Sequence, residues 1–503
     1  MGAFLSIFKI DIIIPWILSM CLGIFIGGMP GLTATMAVAL IIPLTFHMHP
    51  ITGLAMILGV SFTAIFSGDI PATFLRIPGT PASGAAVLDG YEMNLKGKGP
   101  LAIALDLICS TIGGIIGVLT LIFIAPILAG FALKFTHFEY FWLALLGLSM
   151  SAIISKGSKT KGIISMLGGL LVSTIGVDIS TGYPRFCYGN VELMAGIGFI
   201  PVMIGMFGMS EVFRSILSKD SLNNAAIQDK IKVSFKSVGK ILLKSKRVIL
   251  QSSIIGTLIG ALPGAGGDIG AWVAYGVAKK TSKNPEEFGN GTTEGVIAPT
   301  SANNAAIGGA WIPALVFGIP GDTITAVVLG AMLMYGIKPG PLVFQGDKFL
   351  INQIFSVALV SQIFLLIIGF FGIKAYTRMF KFPKSLVLTG IILFSVVGSY
   401  ALRNSIFDVG LILVFGIIGF FMEKVDIPLS PFILGLILGP MVEENLRIGM
   451  LKTDGNFLPF LTRPISFSLF IILVLLYAWD PIVIIIKHFT KKIKTENDQE
   501  NTK

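Results

Sequence analysis

Apolar stretches long enough to cross a lipid bilayer recur along the whole chain, and no other feature limits its fold so strongly. Residues 101–128 and 355–373 are two examples. Of the 503 residues, 54% are hydrophobic and only 13% are charged, whereas soluble domains carry about 25% charged residues. Because helices satisfy their backbone hydrogen bonds internally in lipid, the pattern predicts an all-α polytopic membrane protein with about 10–12 transmembrane spans or half-spans.

Glycine and proline are abundant inside these apolar stretches rather than between them. The chain has 59 Gly and 25 Pro. Irregular backbone at membrane depth is tolerated where it lines a cavity enclosed by protein. We therefore expect broken helices and re-entrant hairpins. The three cysteines are widely spaced and predict neither a disulfide framework nor a CxxC metal site.

An internal repeat divides the chain into two halves. Residues 23–31 (GIFIGGMPG) match residues 256–264 (GTLIGALPG), and residues 71–79 (PATFLRIPG) match residues 313–321 (PALVFGIPG). Two matches in the same order indicate a duplication. We predict a first membrane repeat at residues 1–213, a connector at 214–247, a second membrane repeat at 248–490 and a disordered cytoplasmic tail at 491–503.

The basic residues in short loops predict how the two halves are oriented. The connector carries nine basic residues against Asp220 and Asp229, so we expect it in the cytoplasm. Lysines follow residues 249–278 as well, which makes that segment a hairpin with both ends on the cytoplasmic side. Its counterpart, residues 12–46, is flanked by no strongly basic loop, so we expect its ends on the opposite, periplasmic side of the membrane. Inverted repeats fit the charges best, with Lys338 and Arg403 as exceptions.

Four Pro-Gly breaks lie at matched positions in the two halves and indicate a substrate site. A half-helix that begins after such a break offers free N–H groups and the positive end of its dipole to an anion such as a carboxylate. Hydroxyl and amide side chains near the breaks add donors, and the run at residues 300–304 either lines the cavity or caps the following helix. The substrate-binding candidates are Pro30, Gly31, Thr33, Thr35, Arg76, Gly79, Thr80, Ser83, Gly264, Ser301, Asn303, Asn304 and Gly321.

Few ionisable residues lie near the breaks, and charges at membrane depth are usually functional. Arg76 is a candidate ligand for a substrate carboxylate, because guanidinium binds carboxylate with two hydrogen bonds; alternatively it pairs with Asp69 or Asp89. Asp69, Asp268 and Asp322 are candidates for binding a coupling Na⁺ or H⁺. The alternative for Asp268 and Asp322 is that each only caps a half-helix.

Three long strings carry a family resemblance: residues 27–46 (GGMPGLTATMAVALIIPLTF), 68–91 (GDIPATFLRIPGTPASGAAVLDGY) and 318–341 (GIPGDTITAVVLGAMLMYGIKPGP). On these strings the chain resembles the TctA large membrane subunit of tripartite tricarboxylate transporters. The resemblance implies a multi-pass protein of the bacterial inner membrane that takes up tricarboxylates or related organic anions by cation symport. It implies two partners, a small TctB-like membrane subunit and a periplasmic TctC-like solute-binding protein. It does not specify the carboxylate.

Other functional classes fit the sequence less well. The four histidines form no HExxH motif, and we find no GxSxG nucleophile elbow and no Walker A sequence, so we predict neither an enzyme nor a primary pump. No cofactor is expected beyond the coupling Na⁺ or H⁺. A passive anion channel is the alternative, and only a test of coupling to an ion gradient excludes it.

Overall fold

The computed structural model describes residues 2–29, 32–154, 158–178, 181–217, 235–379 and 384–478. Predictions for Pro30, Gly31, half of the connector and the tail at 491–503 therefore lie outside the described residues. In the first half the elements are α1 (Gly2–Ser6), α2 (Ile10–Gly27), α3 (Ala34–Thr45), α4 (Pro50–Ser67), α5 (Asp69–Leu75), α6 (Ser83–Leu95), α7 (Gly99–Ala132), α8 (His137–Ile154), α9 (Lys159–Ser173), β1 (Gly176–Val177), β2 (Pro184–Arg185), α10 (Val191–Met194), α11 (Phe199–Met203), a π-helical turn (Ile204–Met209) and α12 (Ser210–Leu217).

The described elements of the connector and the second half are also helical. They are α13 (Phe235–Lys244), α14 (Lys246–Gly260), α15 (Gly266–Thr281), a 3₁₀ turn (Pro285–Glu287), α16 (Thr293–Phe317), α17 (Thr323–Met334), α18 (Val343–Gly346), α19 (Lys348–Met379), α20 (Lys384–Arg403), α21 (Ile406–Lys424), α22 (Leu429–Leu451), α23 (Pro459–Thr462) and α24 (Pro464–Ala478). The chain is thus an all-α polytopic protein.

In the described residues, eight helices are long and apolar enough to cross a membrane, and four shorter apolar helices accompany them. The short ones include α3 and α17, whose 12 residues span about 18 Å at 1.5 Å per residue. That length is little more than half of the hydrocarbon thickness of about 30 Å. Half-helices therefore do follow the Pro-Gly breaks.

The elements of the two halves occur in the same order. In the first half α2 and α3 are followed by the nearly continuous pair α4 and α5, then α6 and the long α7; in the second half α14 and α15 are followed by α16, α17 and the long α19. α2 packs along α4, as α14 packs along α16. The orientation of the halves relative to a membrane stays a prediction.

Equivalent glycines create equivalent close contacts in the two halves. A Cβ on Gly79 would lie 2.6 Å from the Cα of Gly68 and 2.8 Å from the carbonyl oxygen of Gly27. A Cβ on Gly321 would lie 2.5 Å from the carbonyl oxygen of Gly260 and 2.6 Å from the Cα of Ala310. Each break loop is therefore pressed against backbone, which explains why these positions carry glycine.

Several charged residues serve the fold rather than a site. The Arg403 guanidinium donates two hydrogen bonds of 2.9 Å to the buried Asp408 carboxylate, and this pairing explains why a cation lies at this exceptional position. Arg185 and Arg447 bind Asp178 and Glu443, and they join the β1–β2 hairpin to α22. The hydrogen bond to Glu443 raises the pKa of Arg185. The three cysteines are free.

Candidate functional site

A cavity of about 690 Å³ lies where the break loops of both halves meet. Its lining includes the beginnings of four helices, namely residues 33–35 of α3, residues 80–82 before α6, residues 264–269 of α15 and residues 322–324 of α17. These helices have 12 to 16 residues each. Two of them belong to each half, so neither half forms the site alone.

Side chains cap three of these helices at the cavity. The Thr33 hydroxyl accepts a hydrogen bond from the Met36 amide at 3.2 Å, and the Thr80 hydroxyl accepts one from the Ser83 amide at 3.2 Å. The Asp322 carboxylate accepts hydrogen bonds from the amide and the hydroxyl of Thr325, at 2.7 and 2.6 Å. An α-helix leaves four N–H groups without intrahelical partners at its start. Donors of the first turn therefore remain for a ligand at α3, α15 and α17, whereas the amides of Ser83, Gly84 and Ala85 in α6 already have partners.

Two direct contacts connect the break loops. The hydroxyls of Thr35 and Thr323 lie 3.0 Å apart and join α3 of the first half to α17 of the second. The Gly264 amide donates to the Gly321 carbonyl oxygen at 2.8 Å, which joins the two breaks of the second half. Gly264 itself has φ +80°, and a Cβ there would lie 2.3 Å from the Cα of Ser151. Glycine is required at this position both for its conformation and for the close approach of α8.

The polar run at residues 300–304 lies in the middle of α16, so the alternative that it caps a helix is wrong. α16 begins at Thr293, two turns earlier, because residues 293–299 continue the same helix. Only Asn303 of this run lines the cavity. Its buried amide has no hydrogen-bond partner for either the oxygen or the nitrogen, so both atoms are available to a ligand. Ser301 and Asn304 are fully buried outside the lining.

The structure brings about half of the predicted residues together at the cavity and leaves the others behind it. Those in the lining are Thr33, Thr35, Thr80, Gly264, Asn303, Asp268 and Asp322. Those outside the lining are Asp69, Arg76, Gly79, Ser83, Ser301, Asn304 and Gly321.

Arg76 is the candidate whose position differs most from the prediction. Its side chain is exposed, and its guanidinium lies 5.5 Å from the centre of the Tyr91 ring. It forms no ion pair with Asp69 or Asp89 among the described residues. The reason is local: Arg76 ends α5 in the left-handed conformation, with φ 60°, and this conformation turns the chain into the break loop. A direct role in binding substrate stays an untested prediction.

Asp89 is structural. Its carboxylate accepts hydrogen bonds from the Tyr275 hydroxyl at 2.9 Å and from the amides of Gly289, Gly291 and Thr292 at 2.8 to 3.1 Å. These donors hold the loop between α15 and α16 against α6. A buried carboxylate with this many donors is satisfied without a ligand.

The far end of the cavity carries charged residues that the sequence analysis did not select. Lys161, Arg214, Glu423 and Asp426 line it. Lys161 donates to the Val425 carbonyl oxygen at 2.7 Å, and Arg214 pairs with Glu211. In the sequence, the two cations were used only to predict orientation. No sequence signal separates a cation that lines a cavity from one elsewhere in the same basic segment.

Asp106 is a further residue that sequence reasoning missed. It is 1% exposed on α7, and its carboxyl is a neighbour of that of Asp69, which is 2% exposed. A signal was present, because Asp106 is the one charged residue within residues 101–128, and an ionisable residue inside a span suggests function. In the described residues no three His, Cys, Asp or Glu side chains group together as ligands for a metal ion.

Comparison with known proteins gives one family and two relatives. A family model described as the tripartite tricarboxylate transporter TctA family matches residues 13–434. An uncharacterized 52.8 kDa protein in the TAR-I ttuC′ 3′ region of Agrobacterium vitis is 35% identical over 454 residues, which is 89% of both chains. An uncharacterized protein in the TAR-II ttuC′ 3′ region of the same organism is 38% identical over 214 residues, 42% of this chain and 88% of that protein. No solved structure matches the chain.

Proposed function

Because this chain belongs to the tripartite tricarboxylate transporter TctA family, we propose that it is the large translocating subunit of a secondary transporter that depends on a solute-binding protein. In this proposal it takes up tricarboxylates or related organic anions across the bacterial inner membrane by cation symport. Its partners are a small TctB-like membrane subunit and a periplasmic TctC-like binding protein. The family is a transporter family, and the eight spanning helices make the chain a multi-pass membrane protein.

The convergence of four helix N-termini on one cavity is the observation that supports this proposal. Each N-terminus carries about half a positive charge, so the four together present about two. Their amides, with the Thr33, Thr35 and Thr80 hydroxyls, suit the several carboxylates of a tricarboxylate. Fixed dipoles bind an anion without placing permanent cations in the membrane, where the cost is high.

The position of the cavity also fits a transporter that alternates between two states. Lys161 of α9 and Arg214 of α12 line the cavity, and both belong to basic segments whose charges predict the cytoplasmic side. In our proposal this arrangement is therefore the inward-facing state. The opposite state requires the break loops to separate on the other side, and the contact between Thr35 and Thr323 is one that such a movement would change.

Uptake by proteoliposomes tests the proposal. Vesicles would contain this chain, its small membrane partner and its binding protein, and they would be given radiolabelled citrate or a panel of dicarboxylates under an imposed Na⁺ or pH gradient. We expect accumulation that needs one of the gradients. Flux that only equilibrates, whatever gradient is imposed, contradicts symport and favours a passive anion channel.

The acidic candidates for the coupling ion are tested by replacing Asp69, Asp268 and Asp322 with Asn, one at a time. An amide keeps the size and can still cap a helix, so Asp322→Asn preserves the start of α17 and removes only the charge. The residue that binds the ion is the one whose replacement flattens the dependence of uptake on Na⁺ or pH. Unaltered dependence in all three variants would remove them from the ion site.

A further inference from the structure

A pair of buried carboxyl groups lies directly behind the cavity. Asp69 begins α5, and Asp106 lies on α7, which packs against α5; both side chains are at least 98% buried, and the two carboxyl groups are neighbours. One oxygen of each, Oδ1 of Asp69 and Oδ2 of Asp106, has no hydrogen-bond partner. In the described part of the chain, neither carboxyl forms an ion pair with a basic side chain.

Without a cation between them, two neighbouring carboxylates in a buried environment cannot both be ionised. Each charge would lose its hydration, and the two would also repel each other. With no bound cation, at least one proton therefore resides on the pair, and its titration belongs to the two groups together. The pair then carries at most one negative charge.

Hydroxyl groups connect this pair to the cavity. The Thr80 side chain lines the cavity, and its Oγ1 lies 2.7 Å from Oγ of Ser83, whose side chain is near the Asp69 carboxyl. On the far side, the Ser110 hydroxyl donates to Oδ1 of Asp106 at 3.1 Å. The polar path thus runs from the cavity through Thr80, Ser83 and Asp69 to Asp106.

The backbone makes the same connection. The Gly79 amide donates to the Gly68 carbonyl oxygen at 3.0 Å, and Gly68 directly precedes Asp69. A Cβ on Gly68 would lie 2.8 Å from Cγ2 of Thr80 and 3.1 Å from Oγ of Ser83. An anion that moves the loop at Thr80 therefore also displaces Gly68 and, with it, Asp69 at the start of α5.

The other groups around the pair are uncharged or directed elsewhere. Cys109, one turn from Asp106 on α7, is a buried free thiol. Asp89 of α6 is bound by Tyr275 and the loop amides, and Glu294 of α16 accepts from Ser282. The charge on the Asp69–Asp106 pair therefore depends on its own protons and on what occupies the cavity.

We propose that Asp69 and Asp106 form the proton-binding site that couples anion uptake to H⁺ entry, with Thr80 and Ser83 connecting it to the substrate. This inference rests on the proposed symport function and names its coupling ion. A bound anion beside Thr80 favours a second proton on the pair, which becomes neutral. That proton moves from periplasmic water to a carboxylate oxygen and leaves to cytoplasmic water after the anion dissociates. By linkage, the proton raises anion affinity by the same factor by which the anion raises proton affinity.

The test compares net uptake with exchange in the proteoliposomes described above. Asp69→Asn and Asp106→Asn should each reduce accumulation driven by a pH gradient by about tenfold or more. Exchange of labelled for unlabelled anion across the membrane needs no net proton movement, so it should persist. Asp454→Asn, the same substitution at an exposed position, is the matched control and should keep both activities. Unchanged accumulation in either pair variant would overturn the proposal.

If Asp69→Asn or Asp106→Asn does not fold, the proposal can still be tested by measuring proton entry directly. A pH-sensitive dye inside vesicles with the unaltered chain should report acidification when citrate is added outside, with no Na⁺ present. Ser83→Ala, which removes one hydroxyl from the path, should slow that acidification relative to anion exchange. Accumulation that needs Na⁺ and moves no protons would refute the proton site while leaving symport intact. Equilibrating flux without any gradient dependence would instead refute the proposed function itself.

Discussion

At the scale of single residues, the break glycines show how closely the backbone is packed within each half of the molecule. Gly79 and Gly321 occupy equivalent positions in the repeat, and each faces backbone atoms at less than 3.0 Å from where a Cβ would be. Backbone cannot retreat without moving a helix, so both positions tolerate added volume poorly.

Gly321→Ala should destabilise the protein by about 1–3 kcal/mol, because the new methyl group overlaps the backbone of α14 and α16. The matched control is Gly276→Ala on α15, where a Cβ would meet nothing within 4 Å. That change should stabilise by about 0.5–1 kcal/mol, since alanine favours a helix over glycine. Thermal unfolding in detergent measures both. Equal midpoints for the two variants would show that the break loop is not tightly packed.

Arg76 offers a second prediction at this scale. Its guanidinium lies over Tyr91 and away from the cavity, so we expect Arg76→Lys to leave the KM for uptake unchanged. Lysine keeps the charge but lacks the two-pronged geometry that a carboxylate ligand would use. A raised KM with normal folding would instead restore Arg76 as a substrate ligand, reached in another state of the transport cycle.

At the scale of elements, short helices and the loops that orient them form the site. α3, α6, α15 and α17 each begin at the cavity, and each is held by a longer neighbour. The loop between α15 and α16 contributes no cavity residue, yet it fixes α6 through Asp89. Its hydrogen bonds therefore contribute to the position of Thr80 and Ser83 at the start of α6.

Asp89→Ala should free this loop and cost about 2 kcal/mol, since hydrogen bonds to a charged group contribute about 1.5–3 kcal/mol. Tyr275→Phe removes only one of the donors and should cost about 1 kcal/mol. Hydrogen exchange gives the sharper measurement. The amides of residues 289–292 should exchange faster in Asp89→Ala and at an unchanged rate in Tyr275→Phe. Equal protection of these amides in the unaltered protein and in both variants would mean that Asp89 does not hold the loop.

At the scale of the whole molecule, the site exists only because both halves contribute to it. Two of the converging helices come from each half, and the charged residues of the lining come from α9, α12, the end of α21 and the loop after it. A cavity shared in this way can change its access when one part of the molecule moves against another. Access to one side is therefore the property to measure.

Ser430 lines the cavity, so a cysteine at this position can show from which side of the membrane the cavity is accessible. With the three native cysteines replaced, Ser430→Cys should react with a membrane-impermeant maleimide in inside-out vesicles and much more slowly in right-side-out vesicles. Val191→Cys, at the exposed start of α10, should show the reverse preference. If both positions react from the same side, the orientation predicted from loop charges is wrong.

Local features of the sequence were enough to determine the class of fold and where its helices break. Apolar length predicts membrane helices, and Pro-Gly pairs end them, because both effects act within a few residues of the chain. The repeat was visible for the same reason, since Gly27 and Gly260 stand at matched positions before their breaks. The family strings added the transporter class.

Only the tertiary structure decided which of these residues meet. Asp106 and Asp69 are 37 positions apart in the sequence, and the packing of α7 against α5 brings them together. Arg76 stands three residues before Gly79, yet it lies outside the cavity, because its left-handed backbone turns it toward Tyr91. Which side chains meet depends on contacts between distant elements, and no local pattern encodes them.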